Sequence, residues 1–299
     1  MLLARPAVIA NGRNEVHDHD ESSTILWCAG VSTCLILLLR TREVVHSALK
    51  FVDHRPWPLP SGPWIMQQIW NDLLFAHWPV ASEVLQPLVP AVLELDKFEG
   101  QCWVAVTPFR MSGIRIRGLP PLPGLARFPE LNVRTYVTFG GKPGVYFFSL
   151  DAGSQTAVWS ARATYHLPYF YAGMRVNQQN GRIEYHSLRD ELAEFKGQYR
   201  ASGPIQLRPQ GSLERWLTER YCLYTFVRNS VFRAEIHHAQ WPLQDAEAEI
   251  SRNTMAGAAG ILLPDSLPLL HFSKTLEVLI WPLKKVINHK ESVLVPIQL

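Results

Sequence analysis

The chain has 299 residues, with 29 Lys and Arg against 26 Asp and Glu and a formal net charge of +3. So small an excess does not imply an acidic polymer as partner. Hydrophobic content of 47% fits a globular protein with a sizeable core; 22 Pro favour edges, turns and extended loops over long helices, and 10 Trp bring large buried area with a polar handle.

Residues 1–50 read as an extension unlike the rest of the chain. "NGRNEVHDHDESS" is polar and reads as a disordered tail, and its "HDHD" would bind divalent ions only weakly. The apolar run from Ile25 to Leu39 is followed by Arg40 and Arg42. As a helix it would span roughly 22 Å, short of the ~30 Å hydrocarbon core. Acids precede the run and arginines follow it, the reverse of a secretory signal. Three readings stay open: a buried or fraying appendage, a marginal membrane anchor, or upstream sequence from a misplaced start codon, which is the favoured one. A domain over residues 51–288 and a tail over 289–299 complete the expected organisation.

From His54 the texture changes. "HRPWPLPSGPW" reads as an extended lead-in, and Ser82 as the N-cap of a short helix stopped by Pro90. "QCWVAVTPF" reads as a strand, "RMSGIRIRG" as a solvated loop or subunit contact, and "RGLPPLPGLARFPEL" as a proline-stiffened loop. "NVRTYVTF", "VYFFSL" and "TAVWSARATY" follow as strands separated by "GGKPG" and "DAGSQ". Asn180-Gly181 and Asn229-Ser230 each mark a hairpin. "GSLERWLTERY" and "PLQDAEAEISRNTMAGAAG" read as helices capped by Ser212 and Asp245, and "LEVLIWPL" as a strand that could close the sheet. The expected class is α+β, mainly antiparallel β: a barrel or sandwich with a few peripheral helices.

Nucleophile-elbow, zinc-protease and phosphate-loop motifs are absent from the sequence. Cys28, Cys34, Cys102 and Cys222 form no CxxC and no zinc spacing, and read as small hydrophobes in a reducing, cytoplasmic compartment. His237 and His238 are adjacent, so on a strand one is expected inside and one outside, with no shared metal. Arg110, Arg115 and Arg117 make too narrow a basic face for nucleic acid. The informative cluster is central: Glu130, Arg134, Tyr136, Arg162, Tyr165, His166, Tyr169 and Tyr171. An ion pair between Glu130 and an arginine at a barrel rim is the structural alternative to a binding role.

"HRPWPLPSGPWIMQQIWNDLLFAHWPV", "LELDKFEGQCWVAVTPFRMSGIRIRGLPPLPG", "FPELNVRTYVT", "GVYFFSLD" and "LTERYCLYT" with "AEIHHAQWPLQ" occur in order. Together they resemble the uncharacterised YqjF-like family, domain of unknown function 2071, in the acetoacetate decarboxylase-like superfamily. The resemblance runs from His54 to about Val286. It implies a closed antiparallel β-barrel with flanking sheet, a few peripheral helices and a central cavity. The decarboxylases carry a lysine pair on "GRE-x-x-G-x-PKK-x-A", one of them an activated amine for Schiff-base chemistry. "ARATYHLPYFYAGM" places Arg162 at the arginine, Pro168 at the proline and Tyr169-Phe170 at the lysine pair. No lysine occurs from Leu150 to Glu194, so no primary amine is available there for an imine.

The resemblance makes Glu130 similar to the cavity carboxylate and Arg162 to the cavity arginine. The expected function is binding of a small, partly apolar, acidic organic ligand without a cofactor. Arg134 and Arg162 would hold the anion, Glu130 would position or protonate, and Tyr136, Tyr165, His166, Tyr169 and Phe170 would line the cavity. Glu130 and Tyr169 are the candidates for acid-base chemistry of a lyase or hydrolase type. A structural module with a filled barrel, and a decarboxylase using Lys97 or Lys142, are the rivals. Self-association is left open.

Overall fold

The computed structural model describes residues 46–120 and 127–286, and every element below belongs to the compact unit Ser47–Leu299. The apolar run Ile25 to Leu39, Cys28, Cys34, the "HDHD" tract and the tail 289–299 lie outside the described residues. Among the described residues no helix is long and apolar enough to cross a membrane.

The strands are β1 (Met66–Val80), β2 (Glu94–Leu95), β3 (Cys102–Ile116), β4 (Arg127–Phe139), β5 (Lys142–Ala152), β6 (Tyr169–Tyr171) and β7 (Gly173–Gln179). They continue as β8 (Arg182–Leu188), β9 (Glu194–Gln206), β10 (Cys222–Val227), β11 (Ser230–His237), β12 (Leu243–Asn253), β13 (Leu269–Ile280) and β14 (Lys284–Val286). Among the described residues three α-helices accompany them: α1 (Ser82–Leu85), α2 (Gln155–Tyr165) and α3 (Leu213–Thr218).

All the strands join one 14-stranded sheet. Along it β11, β10, β5, β4, β3, β1 and β13 follow one another, and β11 then pairs with β13 through Ile236–Ile280 and His237–Leu279. That pairing closes a ring, the expected barrel. The pairing is antiparallel except where β5 meets β10 and β6. Beyond β13 the sheet runs on through β12, β9, β8 and β7 as the flanking layer.

The alternation of side chains explains why β1, β3 and β4 are so apolar. Leu73 and Phe75 pack with Phe109, Met111 and Trp241 in one cluster, whereas Leu74 and Ala76 pack with Val104, Val133, Tyr185 and Phe195 in another. Successive residues face opposite sides of a strand, so a strand buried on both sides must be apolar at nearly every position.

Several local expectations are corrected. "TAVWSARATY" is helix α2, not strand. Its Thr, Val and Trp favour β by propensity, but Ala157, Val158, Ala161 and Tyr165 form a helical stripe packed in the barrel cluster. The Ser154 side chain accepts from the Ala157 amide at 3.3 Å, and His166 closes the end at φ 54°. Conversely, "LQDAEAEISRN" is strand β12, and Asp245 caps no helix. Its helix-forming Ala and Glu yield to a period of two: Ala246, Ala248 and Ile250 pack inward while Asp245, Glu247 and Glu249 face out. Those acids meet Arg208, Arg200 and Arg182, two of the arginines on neighbouring β8 and β9.

"RMSGIRIRG" is not a loop, for Arg110 and Arg115 continue β3. Arg127 to Leu131 of the presumed proline loop begin β4. The cap of α1 is Ala81, with Ser82 its first residue. The Asn180-Gly181 hairpin forms as read, with φ of 50° and 77°, but the second turn is centred on Arg228-Asn229, one residue earlier than expected. Both central residues of each turn have positive φ, matching the right-handed twist of the flanking strands.

The seam between β5 and β10 carries a testable constraint. A Cβ on Gly144 would lie 2.8 Å from the Cys222 carbonyl and 2.8 Å from the Tyr224 ring. Gly144→Ala is therefore expected to destabilise the barrel by about 1–3 kcal/mol through overpacking, read as a lower urea midpoint. An unchanged midpoint would show that the seam relaxes freely.

Candidate functional site

Strand β4 sets the site. Glu130, Asn132 and Arg134 alternate along one face and line a cavity of about 120 Å³ inside the ring. Beside them the lining continues through Leu73, Phe109 and Met111 from β1 and β3, and Tyr165 and Tyr169 from α2 and β6. Trp241, Ile280, Thr218 and Arg220 complete much of the wall. The volume is below the several hundred Å³ of drug-sized pockets, with room for about four waters at the ~30 Å³ each takes up in the liquid. The barrel is not filled by its own rings.

Glu130 is buried, and the Tyr169 hydroxyl donates to its Oε2 at 3.1 Å. No ion pair joins Glu130 to an arginine among the described residues. Burial pushes its carboxyl up to about 8, a rise that the Tyr169 hydrogen bond opposes and the nearby Asp151 reinforces. Glu130 therefore carries a proton at neutral pH. Burial also drives the Tyr169 phenol well above its ordinary range, and Glu130 adds to the rise. The pair shares one buried position, with Tyr169 the donor and the second carboxyl oxygen free to hold the proton.

Arg134 is buried, its guanidinium carbon 5.4 Å from the Phe75 ring centre. Its Nε has no hydrogen-bond partner, and no carboxylate lies within ion-pair distance among the described residues. Arg220, on the adjoining wall, is better served. It pairs with Asp96 at 2.5 Å, donates through Nε to the Trp216 carbonyl at 2.7 Å, and lies over the Tyr136 and Trp216 rings.

The remaining expected residues divide. Tyr165 lines the cavity; burial pushes its phenol up to about 12, and its hydroxyl donates to the Trp281 carbonyl at 3.5 Å. Tyr136 is buried behind the lining, sharing a 2.8 Å hydrogen bond with Nε2 of His77. Arg162, His166 and Phe170 do not line the cavity. Arg162 is exposed on α2, where its Nε donates to the Tyr169 carbonyl at 2.6 Å and clasps β6 from outside. Phe170 follows Tyr169 on β6 and so points the other way, lying between Arg162 and Arg189. His166 ends α2 with its ring edge on Phe232.

Both members of the histidine pair are buried, rather than one inside and one out. His237 bonds the Ala48 carbonyl at 2.9 Å, and His238 faces the cavity with its ring 4.7 Å from that of Tyr221. Strand β11 is covered on both faces where the ring closes, so the alternation does not bring either to solvent. Among the described residues no three His, Cys, Asp or Glu side chains gather as a metal site. The described lysines also lie outside the lining: Lys97 is exposed, and Lys142 pairs with Glu235 at 3.1 Å. Sequence reasoning missed Asn132, Thr218 and Arg220. The strand period through Glu130 and Arg134 could have found Asn132, whereas nothing in "LTERY" says that Arg220 turns inward.

The closed ring, flanking sheet and central cavity define an acetoacetate decarboxylase-like fold. Acetoacetate decarboxylase from Legionella pneumophila superposes with a TM-score of 0.54 at 13% identity, over 80% of this chain and 94% of that one. The enduracididine biosynthesis enzyme MppR, complexed with pyruvate, superposes with a TM-score of 0.54 at 8% identity, over 77% of this chain and 93% of its own. Such identities speak for the fold alone. The chain belongs to the domain of unknown function 2071 family, described as an uncharacterized conserved protein, which matches residues 67–277. The uncharacterized protein YqjF of Bacillus subtilis (strain 168) is 53% identical over 229 residues, 76% of this chain and 95% of YqjF.

Proposed function

We propose that the barrel binds a small, partly apolar organic monoanion and does so without imine chemistry. The observation that carries this reading is Arg134, a buried cation on the cavity wall with no carboxylate partner among the described residues. A lone buried charge costs several kcal/mol, and an incoming carboxylate would offset that cost with charge-assisted hydrogen bonds. Glu130, protonated beside Tyr169, leaves the positive charge of Arg134 uncancelled and offers a neutral donor at the other end of the same strand face. The apolar wall from Leu73, Phe109, Met111 and Trp241 suits a short hydrocarbon portion.

The Glu130–Tyr169 pair also suits acid-base chemistry. A carboxylic acid that titrates near neutrality can deliver a proton to a ligand carbonyl and recover it. Small monocarboxylates of three to six carbons should raise the melting temperature of the wild-type protein. Arg134→Met should abolish the shift and Tyr169→Phe should weaken it, while Arg162→Ala should leave it unchanged. Equal shifts in all four proteins would place the ligand elsewhere.

A further inference from the structure

We infer that the outer face of α2 and the turn between β8 and β9 form a self-complementary surface on which a second copy of this chain docks about a twofold axis. This surface lies outside the cavity and does not depend on what the cavity binds. Tryptophan is rarely left in water, because so much of its surface is apolar. Trp159 is nevertheless 73% exposed, on the side of α2 turned away from Ala157, Val158 and Ala161. Leu192, in the turn, is also 73% exposed. Phe170 joins the two halves: the guanidinium of Arg162, one helical turn after Trp159, lies 5.5 Å from its ring centre, and that of Arg189, which begins the turn, 4.2 Å.

Both halves are held in place. Arg162 is pinned by its Nε bond to the Tyr169 carbonyl at 2.6 Å, and its two Nη groups have no protein partner among the described residues. In the turn, Asp190 Oδ1 accepts from the Leu192 and Ala193 amides at 2.9 Å each, and the Arg189 amide donates to the Ala193 carbonyl at 3.0 Å. Exposed Glu191 and Leu192 therefore sit on a fixed tip. Arg189 is already paired with Asp151 and Asp190, whereas Arg162 and Glu191 have no ion-pair partner among the described residues.

One half thus offers a ring and an unpaired cation, the other an aliphatic side chain and an unpaired carboxylate. An acidic partner would be met by Arg162 but repelled by Glu191, and a basic partner the reverse; a second copy satisfies both. About a twofold axis Leu192 packs on the partner's Trp159 and Glu191 meets the partner's Arg162, each contact being made twice. A pinned guanidinium loses little freedom when a carboxylate joins it, and Trp and Arg are the residue types that dominate interface energies. The inner side of α2 gives Ala161 and Tyr165 to the cavity, so docking braces one cavity wall from outside.

Sedimentation equilibrium of the full chain tests the surface. The wild-type protein should be a dimer, or an assembly of dimers, at micromolar concentration. Trp159→Glu should weaken dimerisation at least ~10-fold, with the circular dichroism spectrum unchanged because the side chain is exposed. Arg162→Glu and Glu191→Arg should each weaken it as well, and the double variant, which reverses both charges, should restore it. A wild-type protein that stays monomeric at every concentration, or a dimer that Trp159→Glu leaves as tight as before, would overturn the inference. A double variant that associates no better than the single ones would overturn it too.

Discussion

Glu130→Gln is expected to flatten the stability profile between about pH 4.5 and 8. The Glu130 carboxyl titrates near 4.5 in the unfolded chain and at about 8 when folded, because burial penalises its charged form. Between those values the folded state holds a proton that the unfolded state has released. Stability therefore falls as pH rises, by up to ~1.4 kcal/mol per unit. The loss begins above the unfolded value and is complete once pH passes the folded one. Summed over the window it is on the order of 5 kcal/mol. Glutamine keeps the shape and a hydrogen bond to Tyr169 but does not titrate. Asp151, also pushed up by burial, to about 6, has the same sign and is common to both proteins. Urea unfolding at pH 5, 6.5, 8 and 9 should show wild type and variant diverging up to about pH 8 and levelling off beyond it, with the variant favoured at high pH. Parallel curves would mean that Glu130 is ionised in the native protein.

Arg134→Met is expected to stabilise the ligand-free protein while ending ligand binding. Replacing buried charge by an apolar group of similar volume gains about 1–4 kcal/mol in comparable cases. The gain should be clear here because Arg134 has no carboxylate to leave behind. Arg220 provides the internal contrast. It is equally buried but paired with Asp96, so Arg220→Met strands a carboxylate and should cost about 3–5 kcal/mol. Denaturant midpoints of the two variants should move in opposite directions. A loss of stability in both would make Arg134 a structural cation and remove the support for an anion site.

These two residues also mark how far the sequence could be read. Glu130 and Arg134 were visible as a strand face carrying charge in an apolar setting, and the family pattern drew attention to Tyr169. The meeting of Glu130 and Tyr169 depended on β6 lying beside β5, which itself pairs with β4. Arg162 failed for the converse reason. The motif placed it at a cavity position, but the stretch before Pro168 is a helix, and its last turn carries Arg162 to the outside. A one-dimensional pattern preserves order along the chain and loses the direction in which each side chain points.

By itself the sequence determined the class of fold, the Asn180-Gly181 turn and the lack of any lysine from Leu150 to Glu194, because these follow from local pattern and residue type. The tertiary structure decided the rest. Ring closure between β11 and β13 buried both histidines, and tertiary burial turned Glu130 from a carboxylate into an acid. It also put Asn132 and Arg134 on one cavity wall, with Asn132 Oδ1 and Arg134 Nε left unmet. Burial and partnership are properties of surroundings, and for these residues the surroundings come from strands far apart in the chain.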